Sequence, residues 1–213
     1  MLVEDRQTGH LGAAPKAAGD RATTMWTMRT EGGGMKESRW TILTTDRVRI
    51  TTWLASDLQD LAVLHADPLT MRFIGHGRPE TVDEARARIA EYRDEQRVRG
   101  WTKCRVANRD GDMIGRAGFG ESSAGRELAY ALRPDQWNRG LATEIASGLV
   151  RWHIEHPTVD QSSNGLCAHV EAGNHASVRV LEKAGFHFVD KRFYKGATCD
   201  YFECSAAAGA CTI

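Results

Sequence analysis

Apolar residues change their rhythm several times between residues 46 and 204. Around residues 47–54, Val48 and Ile50 alternate with Arg47 and Arg49, the two-residue period of a half-buried strand. Leu58, Leu61 and Leu64 then share one helical face, with His65 beside them. Ser56 is the expected N-cap of that helix, Gln59 its capping-box partner, and Asp67-Pro68 its stop. A second capping box, Thr81 with Glu84, opens a charged helix that closes at Gly100. Its arginine-rich surface is expected to be a solvated face.

Further along, β-rich runs at 101–107 and 112–119 flank Asn108-Arg109-Asp110-Gly111, and the Asp-Gly pair predicts a hairpin. A turn at 122–125 leads into a strand at 127–133. Leu141, Ile145, Leu149 and Trp152 make one face of a helix closed by His156-Pro157. A strand at 166–171 precedes a helix capped by Asn174 and terminated by Gly185. Runs at 187–195 and 198–203 supply a last hairpin. Regular structure is expected to begin near Asp46, and one mixed α/β domain is expected over 46–204.

Composition narrows the partners. A chain of 213 residues with 41% hydrophobic content can bury a sizeable core. Its formal net charge is zero, without the basic excess of a nucleic-acid binder. No apolar run reaches membrane-span length, and no signal-peptide core is present, so neither a membrane nor secretion is expected. The cysteines are odd in number, with no C-x-x-C pair, which points to reduced thiols, no metal site and a cytoplasmic setting. Residues 1–35, rich in Ala, Gly, Thr and Arg, show no apolar period. They are expected to be a disordered or untranslated extension, with Met35 as the alternative start. Residues 205–213 are read as a tail.

The most informative stretch is Pro134-Asp135-Gln136-Trp137-Asn138-Arg139-Gly140-Leu141-Ala142, between a strand and a helix. A helix start leaves backbone N–H groups unpaired and carries partial positive charge. Gly140 and Ala142 leave room for a phosphate to reach those groups, and Arg139 adds a fixed charge beside them. Neither G-x-x-x-x-G-K-(S/T) nor G-x-G-x-x-G occurs at this junction.

Trp137-Asn138-Arg139-Gly140-Leu141-Ala142-Thr143-Glu144 resembles the (Q/R)-x-x-G-x-(G/A) signature of GNAT N-acetyltransferases, with Trp137 in the Gln/Arg slot. It is most similar to the branch of ribosomal-protein alanine acetyltransferases, where an aromatic residue at that slot is familiar. Asn174-His175-Ala176-Ser177-Val178-Arg179-Val180-Leu181-Glu182-Lys183-Ala184-Gly185-Phe186 resembles a second signature of that branch. The resemblance covers residues 46–203. It implies a mostly antiparallel sheet of about six to seven strands with about four helices. It implies acetyl-coenzyme A as cosubstrate, its pyrophosphate on the amides of the Trp137, Asn138, Arg139, Gly140, Leu141 and Ala142 loop. Asn174 is implied as a further contact, and a backbone N–H among Ala131, Leu132 and Arg133 as the oxyanion donor.

In that family a neutral amine attacks the thioester, so one group must take a proton and another must hold the oxyanion. Glu127, at the start of the strand leading to the loop, is the candidate base. The place of a tyrosine acid used by some relatives is filled here by Leu181. Tyr130, Tyr194 and Tyr201 are substitutes without positional support. His169, His175 and His187 are further proton carriers, and Cys104 and Cys167 read as core. The acceptor is a peptide N-terminus or a small-molecule amine, with an acetyl-coenzyme A-binding regulatory domain as a third reading. A homodimer is compatible with all three.

Overall fold

The computed structural model describes residues 38–157 and 165–204. The expectations for residues 1–35 and 205–213 lie outside that range. Eight strands form one sheet: β1 Thr41–Thr44, β2 Val48–Thr51, β3 Lys103–Asn108, β4 Met113–Ser122, β5 Gly125–Leu132, β6 Gly165–Glu171, β7 Phe186–Tyr194 and β8 Ala197–Cys204. Their order is β1-β2-β3-β4-β5-β6-β8-β7, and only the β5–β6 pair is parallel. Five helices accompany them: α1 Leu58–Ala66, α2 Pro68–Met71, α3 Val82–Arg99, α4 Leu141–Glu155 and α5 His175–Lys183.

The sheet has one strand more than the six to seven expected, and regular structure starts at Thr41 rather than Asp46. The extra strand, β1, is a four-residue edge strand, half-exposed on both faces, so its sequence shows no burial alternation to read. The additional helix α2 is a single turn. Asp67 caps it by accepting from the amides of Leu69 and Thr70, and Pro68 opens it.

The expected cap at Ser56 does not form. A 3-10 turn, Ala55–Asp57, precedes α1 instead. Asp57 organises it, accepting from the Leu54 amide at 2.8 Å and from Arg39 at 2.6 Å. Burial of that ion pair comes from the fold, so the local pattern around Ser56 could not announce it. The Thr81–Glu84 capping box forms in both directions, and Gly100 ends α3 at φ +78°.

Strand alternation sends two sets of side chains to opposite faces. On one face Val106, Ala117, Phe119, Leu128, Ala168 and Phe202 pack beneath Leu141, Ile145 and Leu149 of α4 and Leu181 of α5. On the other face Trp53 and Met113 pack against Leu61, Leu64, Ile89 and Tyr92 of α1 and α3. A buried polar network ties this second layer to the sheet. His65 Nδ1–H donates to Glu80 Oε2 at 2.8 Å, while Nε2 accepts from Arg116 Nε at 3.0 Å. Both nitrogens are satisfied only in the neutral ring, and burial together with the Arg116 charge lowers the His65 pKa to about 4. No helix among the described residues is long and apolar enough to cross a membrane.

Candidate active site

β5 and β6 run side by side for only three registered positions, Gly125–Gly165, Arg126–Leu166 and Glu127–Cys167. β5 continues to Leu132 and β6 to Glu171 without further pairing between them. The strands therefore part after Glu127 and leave an opening in the sheet. On its β4 side β5 stays paired from Gly125 to Leu132. The opening thus has a backbone edge with polar groups that no strand satisfies.

Which amides face it follows from the ladder. Arg133 N–H donates to Ile114 O at 2.9 Å, and antiparallel bonding alternates along the strand. Ala129, Ala131 and Arg133 therefore point their amides at β4. Leu132 points its polar groups away from β4, and its carbonyl accepts from Trp137 Nε1 at 2.8 Å. Of the three expected oxyanion donors, the amides of Ala131 and Arg133 belong to the β4 ladder, and that of Leu132 faces the opening.

The loop after β5 is built as a helix entrance. A 3-10 turn, Pro134–Gln136, leads to Trp137 in extended conformation. Asn138 has φ +58° and Gly140 has φ +75°, so the backbone reverses twice into the left-handed region. Gly140 is the N-cap of α4 and brings no capping side chain. The first backbone bond of the helix is Glu144 N–H to Gly140 O, 3.1 Å. The amides of Leu141, Ala142 and Thr143 precede it and so have no intrahelical acceptor. Glu144 does not turn back to cap them. It accepts from the Thr45 hydroxyl at 2.5 Å, from the Arg47 amide at 2.9 Å and from Arg47 Nε at 2.6 Å, and these contacts hold its carboxyl below the usual range despite the opposing effect of burial. Arg47 also donates to Arg139 O at 2.8 Å. The Arg139 side chain is exposed and touches Gln136 Oε1 at 2.8 Å. Trp137, in the slot of the usual Gln or Arg, ties the loop to the end of β5.

Asn174 opens α5 with its Oδ1 accepting from Ser177 N–H at 3.2 Å, which leaves its amide nitrogen outside the cap. Ser177 also accepts from the Tyr130 hydroxyl at 3.1 Å. That bond spans from β5 to α5, and burial raises the phenol's pKa. Leu181, one helical turn beyond Ser177, is buried in the core. Tyr130 thus places a phenol one turn from the place that Leu181 fills, a relation that strand-to-helix packing creates and local sequence does not display.

Glu127 lies at the root of the opening, on the face away from α4 and α5, and is buried. His169 Nδ1 lies 2.9 Å from Oε1, and the Tyr194 hydroxyl donates to Oε2 at 2.7 Å. The His169 and Tyr194 rings stack at 3.8 Å between centroids. Burial and the Glu127 carboxylate push the Tyr194 phenol upward, so it stays a neutral donor. Beside this group is a cavity of about 440 Å³ lined by Ser122, His169, Arg192, Phe193, Tyr194 and Tyr201, among others. Sequence reading missed Tyr194 as a partner of Glu127, because the two meet only through the β5-β6-β8-β7 order.

The other candidates stand apart. His175 and His187 are exposed. Cys104 is buried and its thiol is pushed up to about 12 by burial, and burial also raises Cys167. Burial of this kind disfavours the nucleophilic thiolate.

The opened sheet thus lies between an uncapped helix start at one end and a buried carboxylate at the other. A family model described as the acetyltransferase (GNAT) domain matches residues 47–187. The chain belongs to this family and is an N-acetyltransferase. It is 26% identical over 155 residues to the uncharacterized N-acetyltransferase YoaA of Bacillus subtilis (strain 168), covering 68% of this chain and 82% of that protein. Among solved structures, it is similar in fold to RimL, a ribosomal L7/L12 alpha-N-protein acetyltransferase, with a TM-score of 0.66 at 12% identity, covering 82% and 97% of the two chains. It is also similar in fold to AAC(6')-Ib solved with an aminoglycoside and acetyl-coenzyme A, with a TM-score of 0.65 at 17% identity, covering 78% and 99%.

Proposed function

We propose that this enzyme moves the acetyl group of acetyl-coenzyme A directly onto a primary amine, with a protein N-terminal α-amine as acceptor. The observation that carries this reading is the parting of β5 and β6 between the uncapped start of α4 and the buried Glu127. The pyrophosphate lies on the Trp137-Asn138-Arg139-Gly140-Leu141-Ala142 loop, where amides and partial positive charge meet a diphosphate without a metal. The Asn174 amide contacts the pantetheine arm. Leu132 N–H faces the forming oxyanion. Glu127 takes the acceptor's proton, held in place by His169 and Tyr194. Tyr130, kept protonated by burial, returns a proton to the departing thiolate.

An α-amine has a reference pKa near 8, so neutralising it at pH 7 costs about 1 kcal/mol, against about 4–5 kcal/mol for a lysine amine near 10.4. A carboxylate is a weak base, and the smaller cost suits it. A second reading, a small-molecule amine as acceptor, is favoured by the cavity beside Tyr194 and Tyr201, whose volume of about 440 Å³ falls among small-molecule pockets. Coenzyme A release over a panel of N-terminally free peptides, N-terminally blocked peptides, polyamines and aminoglycosides separates the two. Turnover confined to free peptides is expected. Saturable turnover of the small amines alone would move the assignment to the second reading.

A further inference from the structure

The turn between β7 and β8 carries Lys195 and Gly196, both with positive φ, +49° and +90°. A lysine in the left-handed region is uncommon, since a side chain there meets the following carbonyl. The conformation aims the Lys195 side chain back over the strand it has just left. Its ammonium stands 4.6 Å from the Tyr194 ring centroid and 3.7 Å from Glu127 Oε2. The same Glu127 oxygen accepts from the Tyr194 hydroxyl. A primary amine of the protein's own chain thus stands beside the proposed base and over the ring of Tyr194, one of the residues that line the cavity.

We infer that Lys195 is a self-acetylation site: the enzyme accepts its own Lys195 amine as a slow acceptor from acetyl-coenzyme A. The inference rests on the reading of Glu127 as the base. In the step, the Lys195 ammonium gives one proton to the Glu127 carboxylate. The neutral Nζ then attacks the thioester carbon, a C–N bond forms and the C–S bond breaks. Coenzyme A leaves as a thiolate and takes a proton from Tyr130 or from water, and the second proton that the nitrogen sheds on becoming an amide restores that donor. Glu127 finally releases its proton to solvent. Acetyl-coenzyme A and a lysine ammonium become acetyl-lysine, coenzyme A and one proton, and no redox partner is involved.

Tethering makes the reaction intramolecular, which replaces a bimolecular encounter with a local one. Against that stands the proton cost of about 4–5 kcal/mol for a lysine amine at pH 7, so the reaction is slow beside turnover of a low-pKa acceptor. Below the amine's pKa each pH unit raises the neutral fraction about tenfold. Acetylation removes the cation that Lys195 places at Glu127 and leaves a neutral amide there.

Lys103 is the competing lysine. It is half-buried, and burial lowers its pKa. It also approaches the base: a Cβ at Gly120 would stand 3.3 Å from Lys103 Nζ and 3.6 Å from Glu127 Oε2. Site assignment must therefore separate Lys195 from Lys103. The full chain, incubated with acetyl-coenzyme A alone and sampled over time, is digested and read by mass spectrometry. Coenzyme A binding is measured separately by calorimetry. We expect one acetyl group on Lys195 well ahead of exposed Lys183 and Lys191, at a first-order rate independent of protein concentration. The rate should fall at least tenfold in Glu127→Gln and in heat-denatured chain, and rise between pH 7 and 8. Acetylation spread evenly over the lysines, first on Lys103, or faster at higher protein concentration would overturn the inference while leaving the acetyltransferase reading intact. Absence of coenzyme A binding in the calorimeter would overturn both.

Discussion

At the C-terminal end of β5 the groups aimed outward are backbone amides, drawn from one short stretch of chain. At its N-terminal end they are side chains drawn from several strands. The loop from Trp137 to Ala142 offers unpaired N–H groups because Gly140 supplies a left-handed turn and no capping side chain. The Glu127 group exists because β6 brings His169 and β7 brings Tyr194 to one carboxylate. The first region needs shape: small residues and a permitted φ. The second needs chemistry: a carboxylate, its two donors and their spacing. Substitutions should therefore fail differently at the two ends. Those in the loop should cost cofactor affinity, and those around Glu127 should cost the rate of transfer.

The largest effect is expected at Glu127. Glu127→Gln should lower kcat about 10²–10⁴-fold, with coenzyme A affinity unchanged, because the loss falls on proton transfer. The deficit should shrink as pH rises toward the acceptor's pKa, where solvent supplies neutral amine. Wild-type kcat at neutral pH would remove Glu127 from the mechanism. That result would leave the Leu132 amide and an acceptor of low pKa to carry the reaction.

Gly140→Val is the reverse case. Its Cβ would meet only the flexible end of Arg47 at 3.5 Å, but φ +75° strains any β-branched residue. We expect coenzyme A affinity to fall about tenfold or more, together with a backbone cost of about 1–2 kcal/mol seen as a lower Tm. Calorimetry and a thermal melt read the two separately. Unchanged affinity would refute the phosphate loop.

Tyr194→Phe tests whether the side-chain end is a unit. It deletes one donor to Glu127 and keeps the ring against His169. Loss of about 1 kcal/mol of hydrogen bonding corresponds to a roughly fivefold drop in kcat, with affinity for coenzyme A intact. A drop in affinity with kcat intact would blur the contrast between the two ends.

Asn174 carries the smallest effect and the finest distinction. Asn174→Ala removes the α5 cap and should cost about 1 kcal/mol of stability. Asn174→Asp keeps an oxygen for the Ser177 amide and removes the donor nitrogen. If Asn174 also contacts the cofactor, the aspartate variant should melt like wild type and bind coenzyme A more weakly. Wild-type affinity in Asn174→Asp reduces the residue to a cap.

Seven of the eight strands, the caps at Thr81 and Asn174 and the loop after β5 were legible in the sequence. Each depends on a period, a cap or a glycine within a few residues, and such signals are local. β1 was not legible, because a short edge strand with both faces half-exposed has no alternation to show. Neither was the start of α1, where Asp57 caps Leu54 in place of Ser56 and is held by the distant Arg39 as well. The helix entrance proposed to hold the phosphates could be read from its residues, since it is built from consecutive backbone. The partners of Glu127 and the amide that faces the opening were decided by strand order and register, and the approach of Lys195 to Glu127 by the β7–β8 turn that the same order places there. Residues 42 to 68 positions apart in sequence meet there, and only pairing in three dimensions sets which of them touch.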